Sequence, residues 1–124
     1  EEASDVEVLT HVLHLLRVAT RVPGKAPPLC LVTRGSQPLA SDSEEARQSG
    51  SSTHAGLWGF ARSARMEEPD RLRITCLDLD ALDSRSLGQV LKEALTPACA
   101  SGEAEVACRE EQQLASRLVR SSIK

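Results

Sequence analysis

The 124-residue chain contains no tyrosine and only one tryptophan and one phenylalanine, so aromatic residues make up 2% of it. Proteins that bind single-stranded nucleic acids stack the bases on aromatic side chains, and this chain has almost none. Basic residues are not in excess either, because 15 Lys and Arg stand against 18 Asp and Glu and give a net charge of −3. These absences argue against nucleic acid or an anionic membrane surface as a partner.

Several sequence signals of other protein classes are also absent. No apolar run approaches the roughly 18 residues of a membrane span, and the acidic N-terminus does not look like a signal peptide. The four cysteines, at positions 30, 76, 99 and 108, include no pair at the short spacing of a zinc site. We therefore expect no metal and interpret all four as reduced thiols in a cytosolic protein. The abrupt start at Glu1-Glu2 suggests a piece of something longer.

A dinucleotide-binding loop is missing as well. Such a loop needs the pattern G-x-G-x-x-G between its first strand and helix, so that backbone N–H groups can approach the pyrophosphate. The seven glycines, at positions 24, 35, 50, 56, 59, 88 and 102, never form this pattern. The residues therefore predict no cofactor-binding site in this chain.

The first clear element is an amphipathic helix predicted over residues 5–22. Ser4 or Asp5 is its predicted N-cap, and Pro23-Gly24 ends it. Apolar residues recur at steps of three and four and form one face. That face comprises Val6, Leu9, Val12, Leu13, Leu16 and Ala19.

Strands and helices then alternate along the chain. Strands are predicted at 29–33, 72–79, 105–109 and 114–120, and helices at 54–68 and 84–95. Residues 36–53 are polar and are predicted to form a flexible loop with a helical turn at 43–48. The acidic run 103–113 is predicted to be an exposed turn. In the helix 54–68, four small residues are expected to allow a close approach of the backbone to the sheet or another helix: Ala55, Gly56, Gly59 and Ala61.

The order α-β-α-β-α-β-β predicts an α/β fold. Right-handed crossovers would produce a small, mostly parallel sheet with helices on both faces, and the C-terminal pair of strands would add a short hairpin. This is a truncated Rossmann-like architecture in one domain, 1–124, with an N-terminal helix and linker (1–27) and a core (28–120). The residues expected to hold the core are Leu31, Val32, Trp58, Ala61, Ile74, Leu77, Leu91 and Val119.

Asp78 and Asp80 are the strongest candidates for a site, because they lie at the carboxyl end of a predicted strand, where α/β folds place ligand groups. Acids there hold a ribose or a metal in some folds. The alternative is that they are solvated strand-end acids or cap a helix. We favour this alternative, since no phosphate-binding loop accompanies them.

Other candidate groups have simpler structural interpretations. Thr33-Arg34 would bind an anion, or Arg34 would form an ion pair or lie in solvent. Trp58 and Phe60 would line a pocket, but an aromatic pair in a helix of small residues more often belongs to the core. His11 and His14, three residues apart, lack further metal ligands. A nucleophile–base pair is conceivable between one of the four cysteines and His11, His14 or His54, although buried strand cysteines are normally inert.

Four fragments in fixed order carry a family resemblance. They are LCLVTRG (29–35), AGLWGFARSARMEEP (55–69), RLRITCLDLD (71–80) and the closing EVACRE and ASRLVR. Together they resemble the structural subdomain of the ketoreductase of type I modular polyketide synthases, which is related to the corresponding part of animal fatty acid synthase. The resemblance covers about residues 28–120.

The resemblance implies a non-catalytic role. In that family a truncated Rossmann-like subdomain packs against a second half, which carries the glycine-rich NADPH loop and the catalytic Ser, Tyr and Lys. Everything here matches the first half, and the chain has no Tyr to protonate an alkoxide. The implied function is a scaffold that holds the NADPH-binding half in shape while that half reduces a β-keto group on a carrier-bound polyketide. The implied partners are that half, neighbouring synthase domains and the acyl carrier protein.

Two alternatives stay open at this point. In the first, the chain is a fragment of a reductase and contributes residues to an active site completed elsewhere. In the second, it is a free-standing α/β binding module that docks a carrier protein or another partner. The first helix tests the second alternative. If its apolar face were exposed in the isolated chain, a partner would be missing.

Overall fold

The computed structural model describes residues 4–24, 26–39, 41–49, 54–82, 88–89, 92, 97, 101–109 and 112–117. The first element is helix α1, Asp5–Arg21. Ser4 caps it, since its hydroxyl accepts a hydrogen bond from Glu7 N at 3.2 Å, as predicted. Leu16 and Ala19 are buried, whereas Val6 is 73% exposed. Val6 begins the predicted apolar face but does not pack against the core, whereas Leu9 and Val12 of that face do.

Four strands form one sheet in the order β1-β2-β3-β4. They are β1 (Leu29–Arg34), β2 (Ile74–Leu79), β3 (Glu105–Arg109) and β4 (Gln112–Ala115). The first three are parallel and β4 is antiparallel to β3. The predicted mostly parallel sheet with a C-terminal hairpin is therefore confirmed. The predicted helix 84–95, which would cover the second face, lies mostly outside the described residues.

Two further helices precede β2. Helix α2, Glu44–Ser49, lies within the predicted flexible loop and matches the helical turn expected there. Helix α3, Ala55–Glu67, buries Leu57, Trp58 and Ala61. A Cβ atom built on Gly56 or Gly59 would meet nothing within 4 Å. The expected close approach was therefore wrong at these two glycines, whereas Ala61, which was expected to share in it, is fully buried.

The sheet separates two apolar clusters. One joins α1 and α3 to the sheet through Leu31, Ile74 and Cys76, and the other contains Leu77, Leu79 and Val106. Strand alternation explains the division, because successive side chains point to opposite faces. Of the predicted core residues, five are buried, Val32 is half-buried, and Leu91 and Val119 lie outside the described residues.

The bounds of three strands differ from the prediction. Strand β1 ends at Arg34 rather than at residue 33, and β4 ends at Ala115, although residues 116–117 were predicted to continue it. Strand β2 begins at Ile74 rather than at residue 72, although Leu72 is buried beside α3. Strand β4 begins at Gln112 rather than at residue 114, because the register pairs Arg109 with Gln112 and leaves only two residues between the strands. The acidic run 103–113 is therefore mostly strand. The strand predicted at 105–109 is confirmed as β3, and its first residue, Glu105, is half-buried, so the interpretation of the whole run as an exposed turn was wrong.

Candidate functional site

The carboxyl ends of β1 and β2 hold a fully buried carboxylate. Thr33 and Asp78 are directly opposite in the parallel register, so their side chains share the sheet face that α3 covers. Asp78 is 0% exposed and accepts hydrogen bonds from five groups. These are Thr33 Oγ1 (2.6 Å), Ser36 Oγ (3.0 Å), Ser36 N (2.9 Å), Gln37 N (3.2 Å) and Arg109 Nη2 (2.8 Å).

Arg109 balances the charge of this carboxylate. Its Nε donates to Asp42 Oδ1 at 2.9 Å, and its Nη2 also reaches Gln37 O at 3.0 Å. Burial acts to lower the pKa of Arg109, but the hydrogen bonds to Asp78 and Asp42 outweigh burial and raise it. Burial acts to raise the pKa of Asp42, but the bonds from Leu39 N and Arg109 outweigh it and lower this pKa. Asp42 and Arg109 are therefore both charged at neutral pH.

The loop after β1 (residues 35–39, the β1 loop) is closed over this carboxylate. Gly35 begins it with φ +65°, a left-handed conformation that glycine adopts without a steric cost. Gly35 N donates to Leu79 O at 2.8 Å, which ties the loop to the end of β2. From helix α3, Trp58 Nε1 donates a hydrogen bond to Thr33 Oγ1 at 3.3 Å. Trp58 is 4% exposed, so it is core with a satisfied N–H group, as the sequence predicted.

The site interpretations made from sequence need two corrections. Asp78 is not a solvated strand-end acid or a helix cap, because it is completely buried and binds the β1 loop and Arg109. Thr33 is not at an exposed edge that is open to an external anion, because it is buried and its hydroxyl donates to the Asp78 carboxylate of the same chain. Asp80 is half-exposed, and among the described residues its Oδ1 accepts a hydrogen bond from Leu82 N at 3.0 Å. Arg34 is exposed.

Sequence reasoning missed Arg109, Ser36 and Asp42 at this site. One signal was present for Arg109, which is a cation in the apolar strand EVACR. It is two residues from Ala107, the register partner of Asp78, and therefore on the same face of the sheet. A pocket of about 140 Å³ adjoins the cluster and is lined by Gly35, Ser36, Asp42, Arg47, Asp80 and Arg109, among others.

A second charged group lies on the same face of the sheet. Glu105 accepts hydrogen bonds from Arg62 Nε, from Arg62 Nη2 (2.8 Å) and from Arg65 Nη2 (3.3 Å). Arg65 Nη1 also donates to Ile74 O and Ala104 O, each at 3.1 Å. The bonds from Arg62 hold the pKa of Glu105 below its usual range. This group joins α3 to β3.

The thiols and histidines do not form a reactive pair among the residues that the structure describes. Cys76 is fully buried, and burial raises its pKa to about 11, while Cys99 lies outside the described part. His11 and His14 are exposed on α1. His54 Nδ1 is 3.2 Å from Asp5 Oδ1, without hydrogen-bond geometry. In the same part of the chain, no group of three or more potential ligands would hold a metal.

Comparison with known families identifies one match. A family model described as polyketide synthase extender module SpnB, Rossmann fold domain, matches residues 1–118. No match is found among curated proteins or solved structures. None of the described helices is long and apolar enough to cross a membrane. The family match covers nearly the whole chain, including both charged groups.

Proposed function

Because the chain belongs to the Rossmann-fold family of polyketide synthase extender modules, we propose that it is the non-catalytic half of a ketoreductase. In this proposal it packs against the NADPH-binding half and holds that half's active site in shape. The partner half then reduces the β-keto group of a carrier-bound polyketide in the cytoplasm. This chain contributes burial and positioning, without transferring a proton or a hydride.

The main support for the proposal is that the backbone N–H groups of the β1 loop are already hydrogen-bonded. In dinucleotide-binding folds this loop presents free backbone N–H groups to a pyrophosphate. Here the N–H groups of Ser36 and Gln37 are bonded to Asp78. A phosphate would have to displace a buried carboxylate that is itself paired with Arg109.

The strand order supports the same proposal. Open α/β sheets bind ligands in the crevice where the strand order reverses. Among the described strands the order runs from β1 to β4 without reversal. The sequence also contains no tyrosine. The usual proton donor of such reductases must therefore come from another segment or chain.

A reconstitution experiment tests the proposal. The chain and the NADPH-binding half of the same synthase are purified separately and assayed alone and together with NADPH and a β-keto thioester. We expect no turnover by the chain alone, and a longer activity half-life of the catalytic half when the chain is present. Turnover by the chain alone, or an unchanged half-life in a mixture that does not co-purify, would contradict the scaffold role.

Leu77→Asp provides the matched control for this mixture. Leu77 is fully buried in the second apolar cluster, so a charge there should unfold the chain. The unfolded variant should give no protection to the catalytic half. Equal protection by the variant and the wild type would mean that a nonspecific effect of added protein explains the result.

A second candidate function is a module that docks a carrier protein. It is favoured by α1, where Leu15 and Val18 are 47% and 61% exposed although the opposite face of the helix is buried. Val18→Asp and, as a control, Thr10→Asp should both leave the fold intact. Loss of carrier binding in Val18→Asp alone, measured by titration calorimetry, would support docking at this face. Carrier binding by Val18→Asp that is as tight as that of the wild type and of Thr10→Asp would exclude that face as the docking site.

A further inference from the structure

We propose that the β1 loop is an oxyanion-binding site whose occupant is the chain's own Asp78 carboxylate. On this proposal, removing that carboxylate exposes a site for a small carboxylate anion of the formate type. The inference concerns a ligand site in this chain and is independent of the proposed role as a scaffold.

The donors around Asp78 form a set that suits an oxyanion. Two are backbone N–H groups, of Ser36 and Gln37, and two are the hydroxyls of Thr33 and Ser36. The fifth is the guanidinium of Arg109 at 2.8 Å. Consecutive backbone N–H groups joined by hydroxyls and an arginine are the donors that proteins use for phosphates and carboxylates.

The location of this set in the fold matches that of an anion site. It lies at the carboxyl end of β1, in the loop where dinucleotide-binding folds hold a pyrophosphate. Asp78 reaches it from the adjacent strand, because Asp78 is the register partner of Thr33. The carboxylate therefore fills the space of a bound anion from the side of the sheet.

A simple Asp–Arg ion pair would not require this arrangement. Four of the five bonds to Asp78 come from residues 33–37 and only one from Arg109. A pocket of about 140 Å³ lies beside these donors and is lined by Gly35, Ser36 and Arg109, among others. On this proposal, a small anion enters from the pocket once the Asp78 carboxylate is absent.

Chemical rescue of Asp78→Ala tests the proposal. Thermal unfolding of the full chain is followed in increasing sodium formate and in sodium chloride at matched ionic strength. Asp78→Ala should show a saturable rise of several degrees in unfolding midpoint with formate over chloride, because a ligand that binds only the folded state stabilises it by mass action. Wild type and Asp70→Ala, which removes an exposed carboxylate elsewhere, should respond equally to both salts.

The amide resonances of Ser36 and Gln37 locate the bound formate. In ¹⁵N-labelled Asp78→Ala they should shift with formate along the same saturation curve as the unfolding midpoint. An identical response of Asp78→Ala to formate and chloride would overturn the proposal. A formate effect of the same size in Asp70→Ala would overturn it as well.

The test holds even where Asp78→Ala does not fold in chloride. Formate should then restore helical circular dichroism in that variant, with a saturable dependence on its concentration. Asp78→Asn fills the same space, but it places an amide NH₂ against donors such as Gln37 N and Arg109 Nη2. It should gain less from formate than Asp78→Ala, because its side chain blocks the space that the anion would enter. Failure of formate to restore Asp78→Ala, or an equal gain in Asp78→Asn, would contradict the inference.

Discussion

Two charged groups lie on the same face of the sheet and differ in how completely they are enclosed. The Asp78 cluster (Asp42, Asp78 and Arg109) has side chains that are between 0% and 9% exposed. In the Glu105 cluster (Arg62, Arg65 and Glu105) the side chains are between 11% and 56% exposed. Buried charges lose their hydration and need a full set of partners, whereas exposed ones keep water as a partner. We therefore expect the first cluster to determine stability and the second to adjust it.

Arg109→Met should have the largest effect. It keeps an apolar chain in place but leaves Asp78 buried without its cation, and breaking a buried pair in this way costs about 3–5 kcal/mol. Urea denaturation followed by circular dichroism measures the loss. Arg117→Met, at an exposed arginine, is the control and should leave the midpoint unchanged. A loss as small as that of the control would mean that the enclosure of the Asp78 cluster has no energetic consequence.

Trp58→Phe should have the next largest effect. The variant loses the N–H group that donates to Thr33 and leaves a gap in a side-chain position that is 4% exposed. We expect a loss of about 1–3 kcal/mol in the free energy of unfolding. Phe60→Leu, at a half-buried position of the same helix, provides the comparison and should lose less. A larger loss of stability in Phe60→Leu than in Trp58→Phe would show that Trp58 does not support the β1 loop.

Glu105→Gln should cost about 1 kcal/mol at neutral pH, because solvent screens its more exposed partner, Arg62. The pKa of Glu105 is lowered in the folded chain, chiefly by the hydrogen bond from Arg62. Its contribution to stability is therefore fully present above the unfolded-state pKa, about 4.3, and is lost as pH falls through the folded-state pKa.

The pH dependence of the difference between wild type and Glu105→Gln checks this sign. Denaturation midpoints of both proteins should differ most near neutral pH and converge in acid. A difference that grew on acidification would contradict the lowered pKa of Glu105.

Glu103→Gln should have the smallest effect. Glu103 pairs with Arg117, and their side chains are 35% and 63% exposed. The hydrogen bond from Arg117 lowers the pKa of Glu103, but the pair lies in solvent, where such pairs contribute little. We expect no change in the thermal midpoint within error at any salt concentration. A clear, salt-sensitive loss would show that exposure alone does not rank the charged groups of this chain.

Local patterns predicted most of the elements in the described part of the chain. The steps of three and four in α1, the apolar runs of β1 and β2 and the small-residue helix α3 all depend on neighbours in sequence. Boundaries were less accurate where hydrogen-bonded pairing decides them. Strand β4 begins at Gln112 because Arg109 is its partner across the hairpin, and the polar residues of β4 carry no sign of that pairing.

The candidate site shows the same division. The sequence drew attention to Asp78 as an acid at the end of a strand, and this placement is correct. Its burial was not predicted, because the partners Ser36, Gln37 and Arg109 lie between 31 and 42 residues away along the chain. Two acids on either side of one leucine, as in Asp78-Leu79-Asp80, look like a solvated strand end until those partners are known.

The sequence by itself determined the alternation of helices and strands, the family and the lack of a glycine-rich loop and a tyrosine. These properties depend on residue types and on short-range periodicity. Only the tertiary structure decided that the β1 loop is occupied by a carboxylate from the same chain. The parallel register brings Thr33 and Asp78 together, β3 adds Arg109, and burial of the charge then depends on all of these contacts at once.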